Sequence, residues 1–298
     1  MPVWPFARHR QDPRNAQQLM HTLLVMAWVV EARDPYTGGH LWRVSRLAEM
    51  LARRAGLGER DVAHVAIGGF LHDLGKIGIP DAILRKPEPL TDEEFDVVRT
   101  HPAVGARLLA GLPLAALVAD AVQAHHERPD GRGYPAGLRA DDIPRDARII
   151  GICDAFDAMT SARPYRKGMP IEAALEIIRS HLGSQFDQRL GEHFLHLTHS
   201  GIIEHIVGHS DDGIPLLDCT MCGPTLVARR EQTTGDTLFC PRCTGEYQLT
   251  TGTDGKLEAR PTGRVGLAAD LAPVADSGLI QRFLDGAARS ALASGLTA

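Results

Sequence analysis

The chain has 298 residues, 44% of them hydrophobic, and a formal net charge of −5 at pH 7. That length accommodates one large domain and a smaller companion, and the apolar fraction supports a sizeable core rather than a disordered chain. The acidic balance excludes a broadly basic surface for nucleic acid or anionic membrane, so any phosphate recognition has to be local.

Residues 1–15, with Pro2, Pro5 and Pro13, read as a flexible leader. From Ala16 to about Ala32, Leu19, Leu23, Ala27 and Val30 recur at helical spacing. The longest apolar run, 23–30, is too short to span a bilayer and starts too late for a signal peptide, so a cytoplasmic protein without membrane contact is expected. Pro35, Gly38 and Gly39 break this helix. A second helix is predicted from His40, with Val44, Leu47, Ala48 and Leu51 on one face and Gly56 and Gly58 as stops. A third starts near Glu59 and reaches His72-Asp73. After a Gly/Pro-rich loop, Thr91 and Glu94 have the spacing of a capping box. His101-Pro102 opens another helix, with proline in the tolerated first turn. Further helices are predicted over 115–126, 145–160, 171–182 and from 188 to about 199, with a Gly/Pro loop over 128–144.

The expected fold is therefore mainly α, with a helical domain over 16–210. Beyond about residue 214 the texture changes to short segments rich in Thr, Leu and Tyr around paired cysteines. These suggest a small β module over 214–260. An Ala/Gly-rich tail over 261–298 has room for one short helix from about Ser277 to Leu292.

Histidines and aspartates gather at the predicted helix ends. His72-Asp73 precedes the Gly75-Lys76 turn, His125-His126 stands where a helix meets a glycine-rich loop, and His40 and His101 open helices. Asp154 lies inside an apolar helix, where a carboxylate is costly unless paired or ligated. Singly, each residue reads as readily as a satisfied core polar group. Together, imidazole and carboxylate suit first-row transition metals. One aspartate can bridge two ions about 3.5–4 Å apart, an arrangement that clamps the attacking and leaving oxygens of a phosphodiester.

Several longer motifs carry a family resemblance. His72-Asp73-Leu74-Gly75-Lys76-Ile77-Gly78-Ile79-Pro80-Asp81 resembles the signature of HD-domain phosphohydrolases, and the run from His125-His126-Glu127 to Gly133-Tyr134-Pro135 resembles that of the HD-GYP subfamily. The stretches 31–40, 99–102, 154–160, 163–167 and 183–187 are similar too, so the resemblance covers roughly residues 16–200. It implies an HD-domain helical bundle that hydrolyses cyclic di-GMP to pGpG, in some members on to GMP, with related cyclic dinucleotides as further substrates. It implies one metal on His40, His72, Asp73 and Asp154, and a second on Asp73, His101, His125 and His126, with a metal-activated hydroxide as attacking group. Fe or Mn is favoured by the resemblance. Some relatives hold a third metal through a glutamate where this chain has Tyr36, a poor substitute, so a two-metal centre is expected. Asp73 and Lys76 are the catalytic residues it implies. Lys76 can place an ammonium on the phosphate or leaving oxygen. Arg163 and Arg166 can grip phosphate oxygens, although the family often has lysine at the second position. Tyr134 offers a ring to guanine or a phenol to phosphate.

Glu31 and Asp34 read either as orienting groups for metal ligands or as helix-surface charge. Cys153 reads as a small buried hydrophobe, and His193, His196 and His199 as surface histidines. Cys219-x-x-Cys222 and Cys240-x-x-Cys243, seventeen residues apart, have the spacing of a closed structural zinc site and resemble a zinc ribbon. The family's usual fused sensor domain is not seen upstream, so regulation is expected from elsewhere, through the ribbon. The expected partners are a cyclic dinucleotide, a protein docked on the ribbon, and a second copy in a homodimer. The competing function is a cyclic-dinucleotide receptor or adaptor, and a third is the broader HD class acting on nucleotides.

Overall fold

The computed structural model describes residues 13–34, 38–112, 115–161, 168–197, 201–272 and 274–288. Helix α1 (Pro13–Arg33) begins slightly ahead of its apolar repeat and buries Met20, Leu23, Leu24 and Ala27. The amphipathic α2 (His40–Arg54) turns Val44, Leu47, Ala48 and Leu51 inward against α3 (Glu59–Leu71). A 3-10 turn (Leu74–Gly78) leads to the short α4 (Asp81–Leu84). Then α5 (Asp92–Val98) starts with the expected capping box between Thr91 and Glu94. Helices α6 (His101–Leu109), α7 (Ala115–Ala124) and α8 (Arg145–Thr160) follow. Ile149, Ile150, Ile152, Cys153 and Phe156 of α8 lie in the same core as α1–α3, so this helix has little polar face to show solvent.

Helix α9 (Ile171–Ser180) and α10 (Gln188–Leu195) close the body, with the Asp187 carboxylate accepting from Leu190 N at 2.9 Å. His193 is half-buried and His196 exposed, while His199 lies outside the described residues. A short α11 (Ile202–Ile206) precedes the strands.

Strands begin earlier than residue 214, with the antiparallel pair β1 (His209–Asp211) and β2 (Ile214–Pro215). Strands β3 (Leu217–Cys219) and β4 (Gly223–Leu226) form a second antiparallel pair. A third sheet has the order β5 (Thr237–Phe239), β6 (Gly245–Thr251), β7 (Leu257–Val265). Its last strand continues past residue 260. The module has its own small core of Leu217, Leu226, Leu238, Tyr247 and Leu249 around Cys219 and Cys240.

The tail helix starts where expected, and positions 289–292 of that expectation lie outside the described residues. It runs as α12 (Ser277–Phe283) and continues as one π-helical turn (Leu284–Ala288). It returns to the helical body, where Leu279, Ile280 and Leu284 join the main core and the Phe283 ring lies 4.8 Å from that of Phe70. Among the described residues no helix is long and apolar enough to cross a membrane.

Candidate metal centre

Chain geometry brings four helix ends to one point. At the end of α3 the backbone leaves the helix at Asp73 (φ −91°, ψ 4°), so His72 and Asp73 enter the centre from consecutive positions. The turn that follows nests on the start of α6. A Cβ at Gly75 would lie 1.8 Å from the carbonyl oxygen of His101, so only glycine permits this approach. It places His101 Nε2 3.3 Å from Asp73 Oδ1. His125 and His126 stand just past the end of α7, and α8 supplies Asp154.

Four imidazoles are oriented alike. Nδ1 of His72 donates to Gly69 O at 2.7 Å, and Nδ1 of His101 to Val98 O at 2.7 Å. His125 Nδ1 donates to Val122 O at 3.0 Å and His40 Nδ1 to Asp157 Oδ2 at 2.8 Å. Carbonyl and carboxylate oxygens can only accept, so the proton sits on Nδ1 and Nε2 faces inward. Asp73 divides the cluster. Its Oδ2 lies 3.7 Å from His40 Nε2 and 3.5 Å from His72 Nε2, while Oδ1 faces His101. Asp154 Oδ1 lies 3.5 Å from His40 Nε2 and 3.9 Å from His72 Nε2. Nitrogens of His101, His125 and His126 fall within 4.8 Å of one another, as do the donor atoms of His40, His72 and Asp73. His72 Nε2 is buried with no hydrogen-bond partner. A buried orphan nitrogen among carboxylates is unfavourable on its own and is what a cation would satisfy. The residues therefore fit a pair of transition-metal ions.

The electrostatics differ from ring to ring. Burial, reinforced by the neighbouring imidazoles, holds His125 well below the ordinary histidine range; burial likewise brings His126 to about 3, so both rings keep free lone pairs at neutral pH. Burial would lower His40 too, but hydrogen bonds to Asp157 and Asp73 and the negative charges of Asp157 and Asp154 push it up to about 10, so without a cation this ring also carries a proton on Nε2 at neutral pH. Burial works against ionised Asp73, yet Lys76 and the adjacent histidines hold its carboxyl well below the usual range. Lys76 Nζ lies 2.7 Å from Asp73 Oδ2 and 3.7 Å from Asp34 Oδ2.

A cavity of ≈ 260 Å³ adjoins the cluster, lined by His126, Tyr134, Asp154, Arg99 and Arg148 among others. The Tyr134 ring packs 4.7 Å from His126, and the Arg99 guanidinium lies 5.3 Å from the Tyr134 centroid. A larger cavity of ≈ 530 Å³ is lined by Arg46, Glu49, Asp211 and Arg282 and touches none of the clustered histidines. Arg163, Arg166 and Tyr36 lie outside the described residues. Glu31 Oε1 accepts from Leu41 N at 3.1 Å, so its carboxylate holds the start of α2 next to His40.

Sequence reasoning assigned no role to three residues that shape this site. Asp157, 2% exposed, fixes His40, and Arg43 in turn forks onto Asp157. Glu127 accepts from the backbone N–H groups of Ala136, Gly137 and Leu138 at 2.6, 3.1 and 2.9 Å, which holds the loop carrying Tyr134. The three-residue spacing of Asp154 and Asp157, one helix face, was the available signal for the first.

The four cysteines of the β module also converge. Their sulfurs lie within 4.8 Å of one another, Cys219 and Cys243 at 3.5 Å. A tetrahedral zinc with Zn–S of about 2.3 Å separates its sulfurs by roughly 3.8 Å, so this set fits that ion. Burial and neighbouring thiols raise Cys222, as expected for clustered sulfurs whose ionisation lacks a counter-charge.

The family profile of the HD domain matches residues 25–190, more than half of the sequence. The chain belongs to the HD domain family. The matched part of the HD domain contains every histidine and aspartate of the centre and ends before the cysteine module. The cyclic di-GMP phosphodiesterase response regulator RpfG of Xanthomonas campestris pv. campestris is 42% identical over 173 residues, covering 56% of this chain and 45% of that protein. A cyclic di-GMP phosphodiesterase of Thermotoga maritima is 40% identical over 181 residues, covering 60% of this chain and 49% of that protein. The 3'3'-cGAMP-specific phosphodiesterase 3 of Vibrio cholerae is 39% identical over 159 residues, covering 53% and 35% respectively. The chain spans about half the length, or less, of these relatives.

Proposed function

We propose that this HD domain is a metal-dependent phosphodiesterase that opens a cyclic dinucleotide, cyclic di-GMP foremost, to the linear pGpG. The observation that supports it most is the division of Asp73, one oxygen toward His40 and His72 and the other toward His101. His40, His72, Asp73 and Asp154 would hold one divalent ion, and Asp73, His101, His125 and His126 the other, with Fe or Mn as the ions. When bound, such a pair supplies Lewis acidity toward the phosphate and an acidified water as nucleophile. The chain's own groups do the rest. Nδ1 contacts lock the imidazoles, so the donor set is organised before substrate arrives. Lys76 places an ammonium beside Asp73, where it can move onto a phosphate oxygen and offset charge that develops in the transition state. Tyr134, packed on His126 beside Arg99, presents an aromatic face to a base at the cavity mouth. Relatives named for both cyclic di-GMP and cyclic GMP-AMP make those two the substrates to compare.

The same proposal places a structural zinc on Cys219, Cys222, Cys240 and Cys243, in a ribbon expected over 214–260 whose strands extend over 209–265, attached to a helical domain expected over 16–210 and completed by α12, in a cytoplasmic protein. The test is product analysis after anaerobic Mn²⁺ or Fe²⁺ loading, with wild type, His72→Ala and Asp73→Ala. Linear dinucleotide from the wild type alone is expected. Tight binding of intact ligand without turnover would instead support a receptor.

A further inference from the structure

Arg43 is only 1% exposed, and its guanidinium reaches in two directions. Toward α8, Nε donates to Asp157 Oδ1 at 2.5 Å and Nη2 to Asp157 Oδ2 at 3.1 Å. Away from α8, Nη1 donates to Gly38 O at 2.8 Å and to His209 O at 2.9 Å. His209 is the first residue of β1, the strand that leads into the cysteine module. One side chain thus ties the peptide before α2, the carboxylate that orients His40, and the entrance to the module.

Two contacts reinforce the tie from outside. Gly39 immediately precedes His40 and has φ +73°; a Cβ there would lie 2.5 Å from Ser210 Cα, so β1 abuts this peptide directly. A Cβ at Gly38 would lie 2.7 Å from a methyl of Val227, which follows β4 of the module. The other rings are held differently. His72 and His125 rest on carbonyls of the helices that precede them, α3 and α7, and His101 on Val98 O at the end of α5, all three or four residues away in sequence. Only the His40 side of the centre is braced by the C-terminal module among these described contacts.

We propose that Arg43 is a positioning residue that registers the His40 ring against the cysteine module, so that the module governs the His40 subsite and leaves the His101–His125–His126 subsite independent. This rests on the two-metal reading above. Arginine suits the role because a planar fork can fix a carboxylate and still reach a carbonyl, whereas a lysine offers one point of attachment. Loss of a partner that orients a ligating histidine lowers metal affinity by about 10–100-fold.

The test titrates Mn²⁺ anaerobically into the zinc-loaded 298-residue chain and reads bound ions by EPR, which separates coupled pairs from isolated ions. Arg43→Lys, Cys243→Ser and the mild Val227→Ala are each placed in a His126→Ala background, which isolates the His40 subsite, and in a His40→Ala background, which isolates the other. Arg43→Lys and Cys243→Ser should weaken Mn²⁺ binding about 10–100-fold in the first background and leave it unchanged in the second. Val227→Ala should act in the same direction but less. Wild-type affinity in the first background, or equal loss in both with native helical circular dichroism, would overturn the proposal. Should Arg43→Lys not fold, the Val227→Ala and Cys243→Ser pairs still decide. A wild-type protein that never shows a coupled Mn²⁺ pair would instead sink the two-metal reading itself.

Discussion

Lys76 and Asp73 are joined through the oxygen that also faces His40 and His72: Nζ lies 2.7 Å from Oδ2. The ammonium therefore holds Asp73 ionised and also competes with any cation for that oxygen. Lys76→Gln removes both effects. Mn²⁺ should bind more tightly by titration, while kcat for cyclic di-GMP falls by about 10²–10³-fold, the scale of losing one donor to transition-state charge. An unchanged kcat would mean that Lys76 serves only the resting site.

Asp157→Asn leaves the enclosed Arg43 guanidinium without its counter-charge. Breaking one side of such a pair costs about 3–5 kcal/mol. Urea unfolding of the variant should show a correspondingly lower midpoint with the same slope.

Glu127→Gln trades a carboxylate that serves three backbone N–H groups for an amide with a single acceptor oxygen. A loss of about 1.5–3 kcal/mol in local stability is expected, the range for hydrogen bonds to charged groups. Because the loop carries Tyr134, KM for the dinucleotide should rise more than kcat falls in steady-state kinetics.

Chelation of the four-cysteine set, or Cys240→Ser, should release about one zinc per chain and strip hydrogen-exchange protection from β3 to β6, since a site of this type folds with its ion. Protection of α3 and α8 should persist.

Asp146 gives a pH signature well away from the metal donors. Burial pushes its carboxyl up, Arg145 opposes, and Asp61 and Asp120 add to the push. A folded-state value above the unfolded one means that ionisation costs stability as pH rises through and beyond the ordinary carboxylate value of about 3.9. Asp146→Asn should therefore be more stable than wild type at pH 7, by less than about 1 kcal/mol for this partly exposed group. Below pH about 3.9 the advantage should vanish in urea melts.

Much of the centre was legible because its residues come as short motifs. His72-Asp73 and His125-His126 announce themselves by adjacency, and His40 and His101 by their place at helix starts. The helical body was equally readable, since α2 has a clean apolar face and Thr91 and Glu94 form the capping box that their spacing suggests. What periodicity could not show were groups that act across the fold. Asp157 is 117 residues from His40, and only its three-residue spacing from Asp154 marks it locally. Glu127 stands in the motif that begins at His125, but its spacing does not show which backbone groups its carboxylate holds. The return of α12 to the core was hidden by an Ala/Gly-rich composition that resembles a linker.

That return alters where the helical domain can be cut. Leu279, Ile280, Leu284 and Phe283 sit against α1 and α3, and burying an aliphatic or aromatic side chain is worth about 1.5–3 kcal/mol. An engineered protein ending at Cys243 would uncover a greasy floor beneath Phe70 and invite clumping. The packed helical unit is therefore discontinuous in sequence: the bundle closes only once the polypeptide has travelled out through the cysteine module and come home.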